Sequence, residues 1–180
     1  MEFYDRYFKR IGDNLESVNT SDLEAAVKIL QETSDSGGKV IIAGNGGSAA
    51  MASHVSVDLT KSAGIRAISF NESDLITCFA NDFGYEEWIK KAVELYSDPG
   101  DSVILISSSG SSQNIINAAE LSGKLHLKLI TFSGFSSENE LRNKGDIDFW
   151  VDSDEYNIVE MTHHIWLLSI VDRIISKQVK

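Results

Sequence analysis

Residues 39–50 read KVIIAGNGGSAA, and residues 102–114 read SVILISSSGSSQN. Each opens with a short run of aliphatic residues, breaks at glycine or serine, and continues into a segment of helix formers. A continuous apolar run of this length reads as a strand buried on both faces, as in a parallel sheet. The glycines of the first stretch let the chain turn tightly and expose backbone N–H groups, and the helix N-terminus that follows favours an anion. The second stretch supplies hydroxyl and backbone donors without positive charge. That suits a phosphate monoester held by neutral hydrogen bonds and a helix dipole. In an open α/β sheet, ligands bind beyond the carboxyl ends of the strands, where both loops fall.

The same rhythm runs along the chain. Strands are expected at 39–43, 66–70, 102–106, 128–132 and 147–151, with helices at roughly 45–61, 73–80, 84–96, 112–123 and 136–143. Phe3, Tyr4, Tyr7, Phe8, Ile11 and Leu15 recur at helical spacing over 2–17, and Thr20 or Ser21 is the expected cap of a second helix ending near Ser36-Gly37-Gly38. The last helix, roughly 155–178, is apolar nearly all round in its middle, which predicts burial nearly all round and favours a subunit interface. The acidic run Asp152-Ser153-Asp154-Glu155 is placed to cap it. The 180 residues suit one α/β domain over 1–180, with a helical pair at 1–36 for oligomerisation and a core at 37–180.

Sixteen Lys and Arg against 27 Asp and Glu give a net charge of −11, which repels polyanions and argues against nucleic acid or an acidic membrane as partner. The N-terminus MEFYDRYFKRIGDNLE carries charges through its apolar positions, so it reads as neither a signal peptide nor a membrane span. One cysteine, Cys78, makes no internal disulfide and points to a reducing compartment; a cytoplasmic protein is expected. In its apolar segment Cys78 reads as a buried small hydrophobe, and His126, beside a strand, as a surface residue. No Gly-Lys-Ser/Thr follows the first loop, and Gly44-Asn45-Gly46-Gly47 does not match GxGxxG. A phosphorylated ligand smaller than a nucleotide is therefore expected, and no nucleotide cofactor.

The Gly44-Asn45-Gly46-Gly47-Ser48 loop, the Asn81-Asp82-Phe83-Gly84 segment and the Ser107–Ser112 loop together resemble the sugar isomerase (SIS) domain. More closely they resemble the phosphoheptose isomerase group, which includes a DnaA-binding replication initiator protein. The resemblance implies a five-stranded parallel sheet in a flavodoxin-like three-layer sandwich, a homotetramer, and a sugar phosphate bound between subunits. It implies phosphate binding by Ser107, Ser109 and Ser112, ligand contacts from Asn45, Gly46, Gly47 and Ser48, and contacts to sugar hydroxyls from Asn81 and Asp82. It further implies His54 and Asp58 as catalytic residues, and zinc held by His54, Asp58 and Glu160. The implied reaction is ketose–aldose isomerisation of sedoheptulose 7-phosphate to D-glycero-D-manno-heptose 7-phosphate, a step toward heptose precursors. The alternative is a non-catalytic module that binds a sugar phosphate or DnaA.

This chain departs from the family pattern at three places. Asp58 stands where the family has Glu, Glu160 where it has Gln, and Leu168 where it has a catalytic His. Isomerisation moves a proton between adjacent carbons, so a lost imidazole needs a replacement, with His163 and His164 the nearest. Adjacent helical residues point about 100° apart, so at most one of them faces the pocket squarely, and at least one is expected to be structural.

Overall fold

The structure, a computed structural model, describes residues 2–178; positions 1 and 179–180 of the expected domain lie outside the described residues. Strands β1 (Val40–Gly44), β2 (Ala67–Ser69), β3 (Ser102–Ser107), β4 (Lys128–Ser133) and β5 (Ile147–Trp150) form one parallel sheet in the order β2-β1-β3-β4-β5. Helices α1 (Phe3–Glu16) and α2 (Thr20–Asp35) precede β1, and α3 (Gly47–Lys61) follows it. Then come α4 (Ser73–Phe83), α5 (Trp88–Tyr96), α6 (Gln113–Lys124) and the closing α7 (Tyr156–Gln178).

Period-2 alternation along the central strands builds two cores. Val40, Ile42, Ile104, Ile106, Ile130 and Phe132 face α2, α3 and α7, whereas Ile41, Ala43, Val103, Leu105 and Leu129 face α5 and α6. Each fully buried Ile or Leu contributes roughly 1.5–3 kcal/mol relative to exposure, which is why strands buried on both faces are uniformly aliphatic. This is the expected three-layer sandwich. After β1 the chain crosses to β2 on one side, and after β3 it crosses to β4 on the other. The loops behind β1 and β3 therefore diverge and leave a crevice between them.

Several expectations need correction. The second helix is capped by Asn19, whose Oδ1 accepts from the Ser21 backbone N–H at 3.1 Å, and not by Thr20 or Ser21. No helix forms at 136–143, which folds as turns. There the Asn139 amide donates to the Ser136 carbonyl at 2.8 Å and its Oδ1 accepts from the Arg142 N–H at 3.0 Å, while Asn143 adopts φ 68°. Local side-chain bonds of this kind compete with a helical ladder. Cys78 is exposed, because α4 turns Leu75, Ile76, Phe79 and Ala80 toward the core instead. His126 is exposed, as expected.

Helix α7 is buried against α2, α3 and the sheet, yet Met161 and Ile165 remain 42% and 45% exposed. Its middle is therefore apolar on a face that this protomer does not cover. Just ahead of it Ser153 accepts from the Glu155 N–H at 3.2 Å in a local turn, and Glu155 pairs with Arg10 of α1 at 2.5 Å. No described helix is long and apolar enough to cross a membrane.

Candidate active site

The crevice between the β1 and β3 loops opens into a cavity of about 260 Å³ lined by Asn45–Ser48, Ile106–Ser109, Ser112, Tyr156 and Glu160. All seven neutral residues expected to bind ligand from the two loops, Asn45, Gly46, Gly47, Ser48, Ser107, Ser109 and Ser112, come together here. Gly46 sits at φ 55°, ψ −120°, a backbone state that requires glycine, and starts α3 with its N-terminal amides toward the cavity. Ser112 starts α6, but its hydroxyl makes no capping bond and instead lies 3.2 Å from the Ser107 hydroxyl. Two helix N-termini and a set of hydroxyls thus surround a space with no lysine or arginine in its lining. Such a site holds a dianion through dipoles and neutral donors.

The two loops are clamped to each other. The Asn45 amide donates to Asn114 Oδ1 at 3.0 Å, and the Asn114 amide donates back to Asn45 Oδ1 at 2.9 Å. The Tyr85 hydroxyl also donates to Asn45 Oδ1, at 3.1 Å. Asn45 therefore spends most of its side chain on holding the crevice together. Asn81 and Asp82 lie exposed at the end of α4, bonded to each other at 2.9 Å and outside the cavity lining.

Glu160 is the one carboxylate in that lining. Its side chain lies flat on Gly47, so closely that a Cβ there would collide with the carboxylate, and the Ser108 hydroxyl donates to its Oε1 at 3.4 Å. Glycine at 47 is what lets α7 bring this group to the start of α3.

Farther along α3 and α7, which pack against each other, lie further titratable residues. His54 Nε2 is 3.2 Å from Asp58 Oδ2, and His54 Nδ1 is 3.0 Å from His164 Nε2. Partial burial, and then the neighbouring His54, hold His164 below the usual histidine range. His163 points the other way. It is fully buried, donates from Nε2 to the Ser133 carbonyl at 2.9 Å, and packs against Phe132. Burial pushes it down to about 4 despite that bond, and its Nδ1 has no partner among the described residues. It is a neutral core residue.

The expected zinc set does not assemble in this protomer. His54 and Asp58 meet each other, whereas Glu160 faces Gly47 and Ser108, and among the described residues no three His, Cys, Asp or Glu side chains gather as a metal would require. Leu168 packs partly buried against the α2–α3–α7 core.

Ser108 belongs to the serine loop the sequence singled out but was not named as a contact, and Tyr85, Tyr156 and Asn114 were missed; of these three only Asn114 left a signal, since it follows the serine loop much as Asn45 follows β1.

Known proteins are similar in sequence and in fold. A family model described as the SIS domain matches residues 3–134. A phosphoheptose isomerase of Thermodesulfovibrio yellowstonii is 36% identical over 160 residues, covering 86% of this chain and 79% of that protein. One from Helicobacter pylori is 34% identical over 156 residues, covering 83% and 81%. The solved structure of a phosphoheptose isomerase from Francisella tularensis superposes with a TM-score of 0.87 at 27% identity, covering 98% of this chain and all of that one. The chain belongs to the SIS-domain family and, within it, to the phosphoheptose isomerase group.

Proposed function

We propose that this protein is a ketose–aldose isomerase that converts sedoheptulose 7-phosphate to D-glycero-D-manno-heptose 7-phosphate. The observation that carries this reading is the neutral cradle of Ser107, Ser109 and Ser112 with the Gly46–Ser48 loop, on the same two helices, α3 and α7, that carry His54, Asp58 and His164. The curated relatives bear the name of the same activity. Spacing along the helices agrees with the substrate's length. At 1.5 Å per residue, His54 lies roughly 10 Å beyond Gly47, and His164 roughly 6 Å beyond Glu160. In an extended heptulose phosphate, five C–C bonds of about 1.5 Å and the ester link put C2 roughly 8–9 Å from phosphorus. A phosphate in the cradle therefore leaves C1 and C2 beside the α3–α7 groups.

The reaction moves one proton between C1 and C2 and a hydroxyl proton between their oxygens. It needs a positioned base and exclusion of competing chemistry, with no redox partner. The chain's residues supply phosphate anchoring from the loops and proton transfer from the groups on α3 and α7. The product would feed heptose precursors, in a cytoplasmic setting.

The protein acts in this reading as a homo-oligomer, with a tetramer as the family form. Phe3, Tyr4 and Phe8 of α1, each more than 60% exposed, and Met161 and Ile165 of α7 are the surfaces a second copy would cover. Sedimentation velocity should give a species larger than the monomer, and Phe8→Ser should shift it toward the monomer.

The deciding experiment is turnover of sedoheptulose 7-phosphate by the purified protein, followed by NMR of the sugar. Formation of the aldose supports the proposal. Binding without turnover would overturn it in favour of a sugar-phosphate-binding module. That second reading draws on one observation, the apolar Leu168 where the family carries its histidine.

A further inference from the structure

The turns over 136–143, where the sequence predicts a helix, are folded against the serine loop. Asn139 is buried there. Its amide donates to the Ser133 hydroxyl at 3.2 Å, the Gly134 carbonyl at 3.1 Å and the Ser136 carbonyl at 2.8 Å, and its Oδ1 accepts from the Arg142 N–H at 3.0 Å. A buried amide whose donors and acceptor are all engaged is a rigid body, with no freedom left to swing aside. Ser133 ends β4 directly beside Ser107 of β3 in the sheet register, so these turns are tied to the strand that neighbours the serine loop. Leu141, fully buried in the core over α5 and α6, fixes their other end.

Two contacts join this platform to the loop, and both fall on Gly110. The Leu141 N–H donates to the Gly110 carbonyl at 2.9 Å. The Asn139 side chain lies against Gly110 so closely that a Cβ at position 110 would fall inside its amide group. Gly110 sits at φ 65°, and its own N–H closes a turn on the Ser107 carbonyl at 3.0 Å. It stands between Ser109 and Ser112, both of which line the cavity, although neither Gly110 nor Asn139 does.

We infer that Asn139 is a positioning residue for the phosphate site: it sets the turn at Gly110 and, through that turn, the spacing of the Ser109 and Ser112 hydroxyls around the anion. The inference rests on the phosphate cradle of the isomerase reading and adds to it a residue outside the cavity. Neutral donors hold a dianion well only when their separation is fixed beforehand, because a loop that must order itself on binding loses affinity to its own entropy. The Asn45–Asn114 pair joins the two loops to each other. Asn139 fixes the shape of the second one.

The test is a cycle of Gly110→Ala, Asn139→Gly and the double variant, each titrated with inorganic phosphate by calorimetry. Gly110→Ala drives a methyl group into Asn139 and should weaken phosphate binding by about 30-fold. Asn139→Gly removes the support and should weaken it by about tenfold. In Asn139→Gly, KM for sedoheptulose 7-phosphate should rise by a similar factor while kcat changes by less than about threefold, the mark of binding lost equally from ground and transition states. Without the Asn139 side chain the methyl group has room, so adding Gly110→Ala to Asn139→Gly should cost roughly fivefold less affinity than adding it to the wild type. Hydrogen exchange on the wild-type protein gives a second measurement that needs no variant. Coupling is reciprocal, so a platform that orders the loop is itself ordered by phosphate. Saturating phosphate should slow the Leu141 amide, bonded to Gly110, more than the Lys39 amide, bonded to Asp101 at the amino ends of β1 and β3. Wild-type phosphate affinity in Asn139→Gly, losses that simply multiply in the double variant, or, should the variants not fold, equal slowing of the two amides would overturn the inference and leave the phosphate site standing. A wild-type protein that binds no phosphate would overturn the cradle, and this inference with it.

Discussion

His163 and His164 are neighbours in unlike surroundings, one fully buried in the core and the other partly exposed beside His54. His163 is held neutral in the core with a pKa of about 4, below the value of an exposed histidine. The unfolded chain therefore binds a proton more readily than the folded one throughout the window from the ordinary histidine pKa down to about 4. Stability is intact above that window and falls as the pH drops through it. Between pH 7 and pH 5 the loss should be about 2 kcal/mol, read from urea unfolding, and His163→Gln should flatten that slope. Glu160 gives a prediction of another kind. Its carboxylate shares the cavity with the site of a dianion, and like charges a few ångströms apart in a partly screened site repel by about 1–3 kcal/mol. Glu160→Gln should accordingly tighten inorganic phosphate binding by roughly tenfold, measured by calorimetry; unchanged affinity would mean that the carboxylate swings clear of the anion.

Among elements, the junction between β1 and α3 depends on the junction between β3 and α6. The reciprocal Asn45–Asn114 amide pair is the bond between them, and Asn114 is buried. Removing a buried hydrogen-bond partner costs about 1–3 kcal/mol. Asn114→Ala should lower stability by that amount and weaken phosphate binding about tenfold, because the two loops then drift apart. The variant separates clamp from ligand contact, since Asn114 lies outside the cavity lining. The loops themselves were legible because their chemistry is contiguous: Ser107, Ser109 and Ser112 sit within six residues, next to an unmistakable strand. The clamp was not, because its halves are 69 residues apart and only the sheet order brings them together. The helix expected at 136–143 failed for a related reason. Its composition is compatible with a helix, but Asn139 bonds to its own backbone and Asn143 takes a left-handed turn. Which of two adjacent histidines turns into the core and which meets His54 of α3 depends on the phase of α7, which its nearly uniform apolarity conceals.

Across the whole molecule, the parallel sheet separates function from stability along its strand axis. The loops that line the cavity lie at the carboxyl ends of β1 and β3, while the amino ends of the same two strands are tied by a charged cluster. Asp101 is almost fully buried. It accepts from the Lys39 backbone N–H at 2.8 Å, the Asp98 N–H at 2.8 Å and the Lys39 ammonium at 2.6 Å. Burial pulls Lys39 down, but its bonds to Asp101 and Asp98 outweigh that and raise it, so it stays charged at any physiological pH. Removing Asp101 leaves the Lys39 ammonium with Asp98 as its remaining partner and two backbone donors without their acceptor, at a cost of about 1–3 kcal/mol for each buried donor. Asp101→Ala should therefore lower the denaturant midpoint sharply. Any protein that remains folded should bind phosphate as the wild type does, because β1 and β3 still deliver the same two loops to the far edge. Equal losses of stability and phosphate affinity in the folded fraction would show instead that the sheet transmits strain from one end to the other, and that the crevice is held by the whole sheet and not by its own clamp.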